Sequence, residues 1–266
     1  LRDSLVAKHL LLVIGHGTRS EQGLAEFETF ARALGERLQR PIRHCYLELA
    51  APDMVSGLRV AAAEAGPRGT VTILPLFLGA GDHYKRDVPE AIHACLAALG
   101  SKATHFRYAA PLGPHSKLVD LLNIRIGEAL TMTAQSLPRK DTALLVVGRG
   151  SLEADSNDAV IKIAHQLGEG QPWRTVVHAF QAVQHPTVPE AMQQCYQAGV
   201  RQVIVAPYLL FGGRVYDDVC ATVKQMGATL GVRDIHAAYL GTPTPVHPLL
   251  LDVAAQRCIE AEDVTP

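Results

Sequence analysis

One pattern occurs twice in this chain, and whatever it folds into must be built twice. An apolar run, Leu11-Leu12-Val13-Ile14, ends in Gly15-His16-Gly17-Thr18; a second run from Leu144 to Val147 ends in Gly148-Arg149-Gly150-Ser151. Gly15 and Gly148 stand 133 residues apart, Pro52 and Pro186 134, and Pro75 and Pro207 132. Three anchors at a nearly constant separation mark a tandem duplication rather than a chance recurrence of pattern.

Between the anchors, short apolar runs alternate with helical periodicity. Residues 11–14 have no internal punctuation and read as a buried parallel strand. Residues 21–39 carry Leu24, Phe27, Phe30, Leu34 and Leu38 at helical spacing until Pro41 stops them. Strands follow over 42–47, 70–75 and 104–108, with helices over 54–65, 87–99 and 115–130. The second half gives strands over 143–147, 175–178, 202–207 and 234–238. Its helices start near Asn157, Thr187 and Val215, and a last one follows Pro245. Strands alternating with helices of this length specify βαβ units, hence an α/β fold of two tandem domains, each a mostly parallel sheet flanked by helices. The polar residues 131–140, with Pro138, serve as the linker, which places the domains at 1–130 and 141–266. A ligand cleft is expected between the lobes.

Composition narrows the function classes. A net charge of -1 with no basic run argues against a nucleic-acid binder. No apolar stretch approaches the ~18 residues that span a bilayer, and residues 1–9 have no apolar signal core, so a soluble cytoplasmic protein is expected. The five cysteines, Cys45, Cys95, Cys195, Cys220 and Cys258, include no C-x-x-C pair, so they read as small buried hydrophobes rather than zinc or iron–sulfur ligands.

Chemistry concentrates at three strand ends of the first half. His16 follows the first strand, Glu48 the second, and His83 comes eight residues past Pro75, which closes the third. Ligands bind at the carboxyl edge of open α/β sheets, and two imidazoles with one carboxylate suit a divalent first-row metal. Each residue also has an ordinary reading, as a turn residue or a helix cap. The second half acts as an internal control: there His16 aligns with Arg149, Glu48 most nearly with Gln181, and His83 with Val215. The metal-capable groups are gone while the framework glycines and prolines stay. Gly79, Ala80 and Gly81 leave room for a flat ligand to approach the backbone. Arg19, Lys85, Arg86, Arg149 and Arg214 offer cationic heads to an acidic one.

Gly15-His16-Gly17-Thr18-Arg19, the run from Tyr46 to Pro52 and the run from Pro75 to His83 together resemble the class II tetrapyrrole chelatases. Within that family the sirohydrochlorin cobaltochelatase and ferrochelatase branch is the most similar. The resemblance covers essentially the whole chain, since long members are two fused copies of a short homodimeric form, and it implies a pseudo-dimeric monomer. It implies that His16, His83 and Glu48 bind metal and assist insertion, and that Co²⁺ enters sirohydrochlorin without ATP, with Fe²⁺ or Ni²⁺ as alternatives. No cofactor beyond that metal and no iron–sulfur cluster is expected. Arg149, Arg214, Arg19, Gly79 and Gly81 are the expected substrate contacts. Two other classes share part of this pattern. A non-catalytic metal or tetrapyrrole carrier would keep the ligands without needing a proton acceptor. A phosphohistidine enzyme would need an Arg where Gly15 stands.

Overall fold

The structure, a computed structural model, describes residues 9–100, 104–241 and 245–263. The reading of residues 1–8 as lacking a signal core lies outside them. Two compact units divide the chain. One takes the chain up to Leu112 together with the part from Leu251 onward, and the other is Gly113–Leu250.

The first unit holds a four-stranded, all-parallel sheet in the order β2-β1-β3-β4. Its strands are β1 (His9–Gly15), β2 (Ile42–Tyr46), β3 (Thr70–Pro75) and β4 (His105–Tyr108). β1 is buried from Leu10 onward because strands lie on both its sides and helices cover both its faces. On one face Leu12, Ile14, Cys45, Val71 and Ile73 pack with Leu58, Ala61, Val88 and Ile92 of helices α2 (Met54–Ala65) and α3 (Val88–Leu99). Helix α1 (Glu21–Leu38) supplies Phe27, Phe30 and Leu34, all buried, and Ser20 caps it by accepting the Gly23 N–H. Asp53 does the same for α2 through Ser56.

The second unit repeats the plan in the order β6-β5-β7-β8. These strands are β5 (Thr142–Gly148), β6 (Thr175–Phe180), β7 (Gln202–Pro207) and β8 (Arg233–His236), again all parallel. Helices α5 (Ala154–Gly168), α6 (Val188–Gln197) and α7 (Arg214–Leu230) correspond to α1, α2 and α3.

The remaining helices depart from a division at residues 131–140. Helix α4 (Ser116–Met132) belongs to the second unit, and α8 (Pro248–Asp263) joins the first from Leu251 on. Side chains account for the second attachment. Glu262 takes Arg40 and the Thr72 hydroxyl, Arg37 pairs with Asp252, and Arg257 Nε donates to the Pro111 carbonyl at 2.9 Å. The expected linker contains a short 3₁₀ turn, Arg139–Asp141, running into β5. Cys45, Cys95, Cys195 and Cys258 are buried and Cys220 half-buried, all as free thiols. Burial pushes the Cys45, Cys195 and Cys258 thiols up to about 12, which leaves them unreactive. Among the described residues no helix is long and apolar enough to cross a membrane.

Candidate metal and substrate site

The strand order reverses direction between β1 and β3, and a doubly wound sheet opens its ligand crevice at that point, outside the carboxyl ends. His16 leaves β1 there and His83 follows β3, while Glu48 follows the edge strand β2. Backbone bonds tie two of these turns together. The Leu47 N–H donates to the Gly15 carbonyl at 3.0 Å, and the Glu48 N–H donates to the His16 carbonyl at 3.2 Å. Gly17 makes that approach possible. It sits at φ +88°, and a Cβ there would fall 1.8 Å from the Glu48 carbonyl oxygen. Only glycine fits this position.

The side chains converge accordingly. His16 Nδ1 lies 3.5 Å from Glu48 Oε1, and the His16 and His83 rings meet edge to face, 5.0 Å between centroids at 81°. Phe77 lies beyond, 6.5 Å from the His83 ring. All three groups remain partly open to solvent. Among the described residues no three His, Cys, Asp or Glu side chains are already drawn into a metal-holding cluster. The structure brings His16 beside both Glu48 and His83 at one edge of the sheet.

His83 opens a π turn, His83–Asp87, in which the Val88 N–H donates to the His83 carbonyl. Gly79 and Gly81 build the entry to it: the Gly81 N–H donates to the Gly79 carbonyl, and the Gly81 carbonyl accepts from Tyr84 and Lys85. Within the turn, His83 Nδ1 lies 2.6 Å from Asp87 Oδ2. That bond, more than any other contact, holds the Asp87 carboxyl below the usual carboxylate range. Sequence reasoning missed Asp87; its only signal was a carboxylate four residues after a histidine at a helix start.

The expected basic contacts are placed less decisively. Arg19, Lys85, Arg86 and Arg149 are exposed. Arg86 faces Asp82 at 3.6 Å and Asp87 at 3.4 Å, and Arg214, 93% exposed, lies 3.6 Å from Asp218.

The second unit corrects one alignment. Its Gln181 N–H donates to Gly148 and its Ala182 N–H to Arg149, repeating the bonds of Leu47 and Glu48. Gly150 sits at φ +88° against the Ala182 carbonyl, as Gly17 does against Glu48. Glu48 therefore corresponds to Ala182, one residue past Gln181, because the separation of 134 already holds along β2 and β6, where Val13 faces His44 and Val146 faces His178. His83 keeps Val215 as counterpart, counted from Leu76 and Tyr208, which make the same backbone bond to β1 and β5.

A family model described as CbiX matches residues 10–129 and again 143–261. A sirohydrochlorin cobaltochelatase of Priestia megaterium is 28% identical over 219 residues, 81% of this chain and 68% of the relative. A sirohydrochlorin ferrochelatase of the same organism is 28% identical over 232 residues, 87% of this chain and 84% of the relative. The structure described as SirB from Bacillus subtilis with Fe³⁺ superposes with a TM-score of 0.78 at 24% identity, covering 96% of this chain and 95% of that one. At that identity the superposition speaks for the α/β fold of two parallel four-stranded sheets.

Proposed function

The chain belongs to the CbiX family, and on that premise we propose that it is a sirohydrochlorin chelatase that inserts Co²⁺ into the macrocycle without ATP. The observation that carries the reading is the meeting of His16, Glu48 and His83 at the switch point of the first sheet, with no counterpart group in the second. Nitrogen and carboxylate donors without thiolate suit a divalent first-row ion and hold it less tightly than a thiolate cage would. Such an ion is the reaction's substrate, and it must leave the protein for the ring.

Insertion expels two pyrrole N–H protons. His16 and His83, when not ligating, are the proposed acceptors, and Glu48, 3.5 Å from His16, would relay a proton toward solvent through its exposed carboxylate. Sirohydrochlorin is acidic, and Arg149, Arg214 and Arg19 are the proposed carboxylate contacts, guanidinium matching carboxylate in two parallel bonds. The backbone at Gly79 and Gly81, free of side chains, is the proposed approach for a flat ring.

A second reading, Fe²⁺ insertion, is favoured by the ferrochelatase relative, which matches a larger share of both chains. Insertion kinetics under anaerobic conditions, with Co²⁺, Fe²⁺ and Ni²⁺ each offered to metal-free sirohydrochlorin and followed by absorbance, decide the matter. Turnover many times over the protein concentration is expected, fastest with Co²⁺. Preference for Fe²⁺ moves the assignment to the ferrochelatase reading. A single stoichiometric uptake with tight product retention makes the protein a carrier.

A further inference from the structure

The two units share a framework around the third strand of each sheet that locates one extra residue. Counted from Leu76 and Tyr208, Tyr84 corresponds to Tyr216. Tyr84 stacks on Tyr108, the last residue of β4, at 5.0 Å and 23°, whereas Tyr216 meets Tyr239, three residues past β8, edge to face at 4.9 Å. Past them, Val88 and Val219 are fully buried at the same place in their cores. Four residue steps separate Tyr84 from Val88, and three separate Tyr216 from Val219. The additional residue is absorbed in the π turn His83–Asp87, whereas α7 runs as α-helix from Arg214. π turns are rare and occur mostly at functional sites. Here the turn occurs in the unit that carries the histidine, and the unit with Val215 does without it.

The turn places a carboxylate on the ring. At 2.6 Å from Asp87 Oδ2, His83 Nδ1 is the ring nitrogen placed to donate its N–H to the carboxylate. In the neutral ring with that tautomer the lone pair is on Nε2. Asp218, one step before Val219 as Asp87 is before Val88, pairs instead with the exposed Arg214 and has no imidazole to serve. We infer that Asp87 is the positioning residue of this site: held by the π turn, it fixes the tautomer and ring angle of His83 so that Nε2 is the nitrogen offered to the incoming metal. This rests on the chelatase reading above and adds to it a residue that touches neither metal nor macrocycle. Orienting carboxylates of this kind fix ligand geometry and raise the basicity of the ligating nitrogen.

The test compares the full-length wild type with D87N, D87E and H83A. Four quantities are measured: Co²⁺ affinity by calorimetry, the ¹⁵N signals of the His83 imidazole, kcat and KM for insertion, and the melting temperature. An amide in place of the carboxylate can donate as well as accept, so D87N is expected to mix the His83 tautomers. It is expected to lose roughly ten- to a hundredfold in Co²⁺ affinity or kcat, with KM for sirohydrochlorin and melting temperature unchanged. D87E should recover most of the loss and restore the Nδ1-protonated signature. Wild-type affinity, kcat and imidazole signals in D87N, beside an inactive H83A, overturn this inference alone. Equal losses in D87N and D87E with a lowered melting temperature overturn it too, making Asp87 a part of the turn and nothing more. Wild-type insertion by H83A overturns the site reading, and the inference with it.

Discussion

Gly17 and His16 are neighbours in sequence with opposite jobs, and substitution should separate them. A side chain at Gly17 meets the Glu48 carbonyl at 1.8 Å in a left-handed backbone, so G17A is expected to destabilise the protein by at least about 2 kcal/mol in urea unfolding. His16 and His83 lie in half-exposed turns that bury little apolar surface. H16A and H83A are therefore expected to keep the wild-type melting temperature and to lose roughly a hundredfold or more of insertion rate. Near-normal rates in either, or loss of folding, would refute the assignment of that histidine. The meeting of these three side chains was legible in the sequence because His16 and Glu48 follow the first two strands, His83 lies on the segment leaving the third, and the duplicated half lacks all three. Two residue-level facts were not. The counterpart of Glu48 is Ala182, which only the backbone bonds of the two turns reveal. The link from His83 to Asp87 depends on a turn whose extra residue leaves no mark on hydrophobic periodicity.

Elements survive duplication better than sites do. His44 meets the Tyr46 ring at 5.7 Å and 68°, and His178 meets Phe180 with the same distance and angle, so the second strand is reproduced down to its ring contacts. What differs is capping. Helix α2 begins with Asp53 accepting from Ser56, whereas α6 begins with a capping box of Thr187 and Glu190. Glu190 also faces His185 at 2.8 Å. Hydrogen bonds from the Thr187 backbone, then His185 and the Thr187 hydroxyl, hold the Glu190 carboxyl down at about 2 against an ordinary 4.5. A carboxyl depressed on folding adds stability at pH values above 4.5, and that contribution fades as pH falls toward about 2. E190Q should therefore be less stable than wild type at neutral pH, with the gap closing over that interval. A difference in melting temperature that stays constant from pH 6 to pH 2 would mean the ionised carboxylate adds nothing to the cap. Strand and helix order was readable from periodicity, and the boundaries shifted by a few residues where caps decide them; α5 starts at Ala154, ahead of Asn157.

At the scale of the whole molecule, chain order and compactness disagree, and that is where sequence reading stops. A polar stretch with a proline at 131–140 looks like a boundary, yet Leu118, Leu121, Leu122 and Ile126 of α4 are fully buried and α4 belongs to the second unit. Periodicity says that a helix has an apolar face without saying which sheet receives it. The return of α8 is specified by polar groups far apart in sequence. Glu262 would be raised by its burial, but bonds from Arg40 and Thr72 and the charge of His9 hold it below its ordinary range. E262Q leaves Arg40 without its counter-charge and should cost about 1–3 kcal/mol at neutral pH. That loss should shrink on acidification, because the wild-type carboxylate is itself protonated there. The same geometry predicts how the chain can be cut. A fragment of residues 1–130 keeps α4, whose apolar face has lost its partners, and lacks α8, leaving Arg40 and Thr72 without Glu262. It is expected to aggregate or to unfold without a cooperative transition. A fragment joining residues 1–112 to 248–266 through a short flexible linker restores Glu262 to Arg40 and Arg257 to the Pro111 carbonyl, and should unfold in one cooperative step on heating. Cooperative unfolding of the first fragment and collapse of the second would place the boundary in the polar stretch after all.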